Sequence, residues 1–171
     1  MGDGNIARSM LRRVLTGVAL VLAGVVAGIT LHLATATGDT MFAGKRPDYL
    51  GVKDGKLPRP KRTPNNVSSQ ADPSDSEHSI APIRFKGTAL EAMAAVRKAV
   101  EGMERATVVR HEGNYVYAEF RSKLLGFVDD VEFTHDEKEG VIHVRSASRL
   151  GRKDFGVNRA RVEALRARIS T

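Results

Sequence analysis

Two short stretches in the second half of the chain carry the residue types from which chemistry is built: Asp129-Asp130-Val131-Glu132 and His143-Val144-Arg145. In extended backbone, side chains alternate between faces, so Val131 and Phe133 point one way and Asp130 and Glu132 the other. In the next stretch Ile142 and Val144 face the core, and His143 and Arg145 join the carboxylates. With Asp136 to Glu139 as the connecting loop, the expected register sets Asp130 across from Arg145 and Glu132 across from His143. A one-residue slip would exchange the faces. Tyr115, Tyr117, Glu119 and Arg121 extend the same surface, giving a polar face of mixed charge with an aromatic rim. It reads either as a solvated face whose ion pairs contribute ~0–1 kcal/mol each, or as a seat for a protein or a small anionic ligand.

A second candidate follows directly. Ser146, Ser148 and Arg149 lead into a glycine-bearing loop, Gly151 to Gly156, and then into a helix beginning near Val157 and Asn158. Free N–H groups at a helix start, flanked by Arg149, Arg152 and Arg159, favour an anion. The plainer alternative is a connection whose arginines satisfy Asp154 and Asp129. The candidate binding residues are therefore Asp130, Glu132, His143, Arg145, Ser148, Arg149, Asp154, Asn158 and Arg159.

Catalysis has the letters but not the geometry. Ser146 or Ser148 with His143 and Asp130 supplies a nucleophile, a base and a carboxylate, yet His143 and Ser146 project to opposite faces, and no G-x-S-x-G elbow is present. Asp130 and Glu132 have the composition for acid–base work, although Arg145 would depress their basicity and repel a cation. A hydrolase-like enzyme using this carboxylate, His and Arg face is thus the alternative to a binding module. The chain has no cysteine, and its five histidines are scattered, so no metal and no cofactor is expected.

The elements that must position these residues are legible from periodicity. Thr88 followed by Glu91 forms a capping box, and Leu90, Met93, Val96, Val100 and Met103 recur at helical spacing. The period then switches to two. Ala106 to Glu112 and Tyr115 to Arg121 flank a Gly113-Asn114 turn, and Phe127 to Thr134 and Val141 to Ser146 form a second hairpin. Val157, Val162, Leu165 and Ile169 mark a last helix. The expected fold is α+β: an antiparallel sheet of about four strands with two helices on one face, in the order α-β-β-β-β-α. Ile80 to Phe85 is a further possible strand.

Upstream, Val14 to Leu33 is twenty residues without a charge, enough for a helix to span the ~30 Å hydrocarbon core of a bilayer. Arg8, Arg12 and Arg13 precede it. Ala34-Thr35-Ala36 resembles a signal-cleavage pattern, but the apolar run exceeds the roughly 7–15 residues usual there, so a retained anchor is expected. The expected organisation is a tail at 1–13, a transmembrane or signal-anchor helix at 14–33, a Pro-rich linker at 34–79 and an α+β domain at 80–171. Five of the six prolines fall in that linker, which reads as a tether of roughly 35 Å reach or as an irregular wrap. The arginines, a short tail and the ease with which long C-terminal domains translocate put the N-terminus in the cytoplasm and the domain outside it. The net charge of +7 suits nucleic acid or anionic lipid, but an extracytoplasmic domain meets little nucleic acid, and RNA-binding strand motifs are missing.

Three stretches, Asn65 to Gln70 (NNVSSQ), Phe127 to Phe133 (FVDDVEF) and Arg145 to Arg161 (RSASRLGRKDFGVNRAR), resemble the domain of unknown function 1499 family from about Pro64 to the C-terminus. The resemblance implies a secreted, membrane-anchored or organelle-lumen protein, and it implies a fold but no mechanism. It further implies that DDVEF and RSASR form a buried or half-buried carboxylate–guanidinium network fixing the loop before the last helix. The family usually has Cys where this chain has Asn66, so no thiol chemistry operates there.

Overall fold

The computed structural model describes residues 42–169, together with 16–18 and 22. The chain divides into two units, Met1–Thr40 and Met41–Thr171. The expected tail at 1–13, and the apolar segment at 14–33 apart from four residues, lie outside the described residues. Among the described residues no helix is long and apolar enough to cross a membrane.

The second unit runs β1 (Asn66–Ser68), β2 (Ile83–Arg84), α1 (Ala89–Glu101), β3 (Ala106–Glu112), β4 (Tyr115–Arg121), β5 (Val128–Asp136), β6 (Val141–Ser148) and α2 (Val157–Ile169). The fold is α+β with a six-stranded antiparallel sheet, ordered β1-β6-β5-β4-β3, and β2 pairs with the other half of β6. Four strands were expected. The fifth, β2, falls in the Ile80 to Phe85 stretch; the sixth, β1, is three residues inside the Pro-rich segment, too short to show any alternation.

Local chemistry explains the long elements. Thr88 caps α1 with its hydroxyl on the Glu91 N–H, and Glu91 returns a carboxylate to the Thr88 N–H, which satisfies two orphan donors. At the β3–β4 turn Gly113 has φ +52°, where a side chain is disfavoured, and Asn114 ties the turn to β5 by donating to the His135 carbonyl and accepting its N–H. Strand β3 is an edge, bulged between Val108 and Arg110.

Both helices bury their apolar stripes on one sheet face. Met93, Val96 and Val100 of α1 and Val162, Leu165 and Ile169 of α2 meet Val116, Ala118, Phe120, Val131, Phe133, Ile142 and Val144 in one core. Each large side chain so buried contributes roughly 1.5–3 kcal/mol.

The β5–β6 register differs from expectation. Glu132 pairs with Arg145, Asp130 with Ala147 and Thr134 with His143. Asp136 stays in the ladder opposite Val141, and its carboxylate accepts the Lys138 and Glu139 N–H groups, so the turn falls one residue later than anticipated. This moves each pairing by two residues, which preserves the faces.

The polar face is not open. Residues 42–64, inside the expected linker, lie across it: Arg46 bonds Glu119, the Gly51 N–H donates to Glu132, and Leu57 packs on Tyr115 and Tyr117. Phe42 adds a ring contact with Phe127 at 5.1 Å between centroids. The wrap is the outcome for this stretch, because these contacts recover the entropy that a free tether would keep.

The β1–β2 connection is pinned by His78. Its Nδ1 lies 2.7 Å from Asp75 Oδ2 and its Nε2 3.2 Å from the Thr63 carbonyl. Both partners are acceptors, so both ring nitrogens serve best as donors. Burial pulls the His78 pKa down, but the Asp75 and Thr63 hydrogen bonds outweigh it, and the net direction is upward from 6.5. A raised folded-state pKa contributes stability that is fully present below the unfolded value and is lost as pH rises through the folded one. The urea midpoint is therefore expected to fall as pH is raised from about 6 to about 8, and His78→Gln is expected to flatten that slope. Identical slopes in the two proteins would refute the assignment.

Candidate functional site

The nine sequence-derived candidates separate onto the two faces of the sheet. Asp130, Glu132, Arg145 and Arg149 meet under the wrap; Ser148, Asp154 and Asn158 meet beneath the start of α2, from which Arg159 reaches the β1–β2 connection; His143 joins neither group.

On the wrapped face, strand alternation brings Tyr117, Glu119, Asp130, Glu132 and Arg145 to one side. Arg145 and Glu132 are 1% and 0% exposed, with Nη1 3.1 Å from Oε2. Glu132 Oε1 accepts from the Tyr115 hydroxyl and the Gly51 N–H, both at 2.8 Å. Arg149 sits beside this pair and grips Asp130 side-on, Nε at 3.0 Å from both carboxylate oxygens and Nη2 at 2.7 Å from Oδ1, while Nη2 also reaches Glu119 at 2.5 Å. The Tyr117 hydroxyl donates to Asp130 at 2.6 Å and receives from Arg149 at 2.9 Å. Arg46 of the wrap closes the cluster on Glu119. Three guanidinium groups thus face three carboxylates.

The protonation of this network follows from its surroundings. Burial pushes Glu132 upward, and Arg145, Tyr115 and Gly51 only partly offset it. Burial likewise raises Glu119, but Arg149, Arg46 and Tyr117 override it and hold that carboxyl below its usual range. Tyr115 and Tyr117 are driven well above the usual phenol value, first by burial and then by their carboxylate neighbours. Arg149 is held above its usual value by Asp130 and Glu119 despite burial. Both tyrosines therefore stay neutral donors.

Beneath α2 the anion site expected at the helix start is filled by the protein. Asp154 accepts the Gly156 and Asn158 N–H groups, so its own carboxylate takes the place of a bound anion. Asn158, 0% exposed, donates to Asn65 O, Ser148 Oγ and Asp154, and accepts from Ser146 and Arg161. Arg161 pairs with Asp129 at 2.5 Å. Arg159 donates to the carbonyls of Ser76, Glu77 and Ser79. This cluster joins α2 to β6 and to the β1–β2 connection.

His143 lies opposite Thr134, and its Nδ1 is 3.3 Å from Ser69 Oγ; burial lowers its pKa. It approaches neither Asp130 nor Glu132, contrary to the expected pairing. Its ring nitrogen, Asp136 and Glu139 come within 4.8 Å of one another, but Asp136 is already engaged by its own turn, and nothing else in that half-exposed cluster points to an ion.

Several residues were missed from the sequence. Arg46, Gly51 and Lys61 lie in a segment without period, where no local pattern announces a docking contact. Asn66 uses its amide on the backbone: Oδ1 takes the Lys61 N–H at 3.0 Å, and Nδ2 donates to the Lys61 and Thr63 carbonyls. Lys61 in turn donates from Nζ to the Ser148 carbonyl.

Fold and site together define a class: a small α+β domain whose sheet is covered by two helices on one side and by its own preceding segment on the other, sealing a balanced ionic cluster. The chain belongs to the family described as "Protein of unknown function (DUF1499)", which matches residues 56–169. The match takes in Lys56 to Thr63, so it begins within the wrap. No curated protein and no solved structure matches the chain.

Proposed function

We propose that this chain is a membrane-anchored binding module: residues 14–33 sit in the bilayer, the N-terminus is cytoplasmic, and the extracytoplasmic α+β domain takes a small anionic ligand. The anchor is supported by twenty uncharged residues behind three arginines, and the orientation by the position of those arginines. The choice of binding over catalysis rests on one observation. Glu119, Asp130 and Glu132 are buried and each bonded to a guanidinium, which leaves none of them an open edge within hydrogen-bond reach of a substrate proton. The hydrolase-like alternative needs His143 to work with the carboxylates of the Arg145 face, and its support falls because His143 pairs opposite Thr134 and its serine neighbour, Ser69, accepts the Val144 N–H. A protein partner on the polar sheet face has less support than a small anion, since residues 42–64 already cover that surface.

The anion is supported by a cleft of about 1100 Å³ in the wrap, lined by Lys53, Lys56, Arg59 and Lys61 with Asp54 as its acidic residue. Four cations against one carboxylate concentrate negative ligands.

The full-length chain is expected to stay with membranes through an alkaline carbonate wash and to be released by detergent. Protease added to the outside of sealed cells is expected to digest the domain. Uncleaved protein in the wash, or a domain digested only from the cytoplasmic side, would refute the reading.

A further inference from the structure

Arg145 is 1% exposed, yet only one of its nitrogens is used by the protein. Its Nε and Nη2 are buried and meet no hydrogen-bond partner among the described residues. Those two N–H groups form the side-on edge of a guanidinium, the edge that takes two oxygens of one oxyanion at once. Arg149 shows the same edge at work four residues later, closed on both oxygens of Asp130. Arg149 serves two carboxylates on this face; Arg145 serves one. Leaving two buried charged donors unspent is costly unless something binds them.

The surroundings favour an anion there. The Arg145 guanidinium lies 5.7 Å from the ring centroid of Tyr49, and Tyr49 lines the basic cleft together with Lys53, Lys56, Arg59, Lys61 and Gln70. The three guanidinium groups of the face balance its three carboxylates, so Lys61 is a surplus cation whose Nζ contact is a carbonyl. Burial and then the charge of Arg145 pull the Lys61 pKa down, with Asp130 and Asp129 opposing them more weakly. Asn66 fixes both backbone groups of Lys61, and the Ser148 carbonyl holds its ammonium.

We propose that the Nε–Nη2 edge of Arg145, which lies behind the Tyr49 wall of this cleft and is reached when that ring turns aside, and the ammonium of Lys61 bind the phosphate group of a small phosphoester, with Lys53, Lys56 and Arg59 at the mouth. The proposal rests on the anionic-ligand reading above and adds its chemistry. A phosphate matches a surplus of more than one positive charge better than a single carboxylate does. Soluble phosphoesters and lipid headgroups both present that group.

The test uses the full chain in neutral-detergent micelles, titrated by calorimetry with inorganic phosphate, glycerol 3-phosphate and dihexanoyl phosphatidic acid, while the Arg145 Nε–H resonance is followed by NMR. One-site binding with movement of that resonance is expected. Arg145→Lys keeps the charge but loses the edge, and is expected to weaken binding by about tenfold or more; Lys61→Gln is expected to weaken it less. Binding by phosphatidic acid alone marks a lipid source, and binding by glycerol 3-phosphate a soluble one; either supports the site. Should Arg145→Lys fail to fold, the wild-type resonance and Lys61→Gln decide. An unmoved Arg145 resonance at saturation, with affinity lost only in the Lys53→Gln, Lys56→Gln, Arg59→Gln triple variant, overturns this site while the anionic-ligand reading survives. Absence of binding by all three probes overturns both.

Discussion

Replacing Arg149 by Met is expected to lower the unfolding free energy by about 3–5 kcal/mol, the usual cost of leaving buried charges without their partner. Asp130 is 2% exposed and Glu119 7%. Without Arg149, Asp130 and Glu119 are left to share the one Tyr117 hydroxyl proton, and Glu119 keeps Arg46, whose own side chain is half in solvent. The effect carries a pH signature. The folded-state pKa of Glu119 is depressed, so its contribution is present above the unfolded value near 4.5 and is lost as pH falls through the lower folded value. Arg149 is the largest favourable cause of that depression, and the gap between wild type and Arg149→Met should therefore narrow on acidification. Urea titrations followed by circular dichroism at pH 7 and pH 4 measure both quantities. A loss below about 1 kcal/mol with no narrowing would mean that the cluster contributes no more than a surface pair.

Glu132→Ala is expected to be comparably severe, about 3–5 kcal/mol, because it takes the carboxylate partner from an Arg145 guanidinium that is 1% exposed. The double variant Glu132→Leu, Arg145→Met separates the two halves of that cost. Removing both charges removes the desolvation penalty along with the attraction, and such exchanges are often neutral or stabilising. The double variant is expected to recover most of the loss seen in Glu132→Ala. If it is instead as unstable as the single variant, the damage lies in packing around Tyr115 and Gly51 rather than in the stranded charge.

The pattern of what the sequence disclosed has a physical basis. Helix α1 was readable to its cap because a capping box and a 3.6-residue period are local signals. The β3–β4 hairpin was readable because Gly113-Asn114 and the flanking alternation agree. The sheet faces were readable from Val131, Phe133, Ile142 and Val144, and so the residues gathered with Arg145 could be named. Register was not, since the side chain of Asp136 moved the turn by one residue. The wrap was hidden for a different reason: Arg46, Gly51 and Leu57 dock through single contacts on strands some seventy residues away, and no spacing rule reaches that far. The cleft therefore could not be foreseen, although both ends of its chemistry, the surplus of lysines and the Arg145 strand, were in plain view.

The two margins of the sheet also bear on how copies of this chain behave beside one another. At one margin β6 is shared between β1 and β2, of three and two residues, so neither offers a long run of free backbone. At the other, β3 is bent by its bulge and carries Arg110, His111 and Glu112. Straight, uncharged margins recruit further strands and grow into aggregates; short, kinked and charged ones do not. Crowded copies of this chain would therefore meet without either flank templating its neighbour.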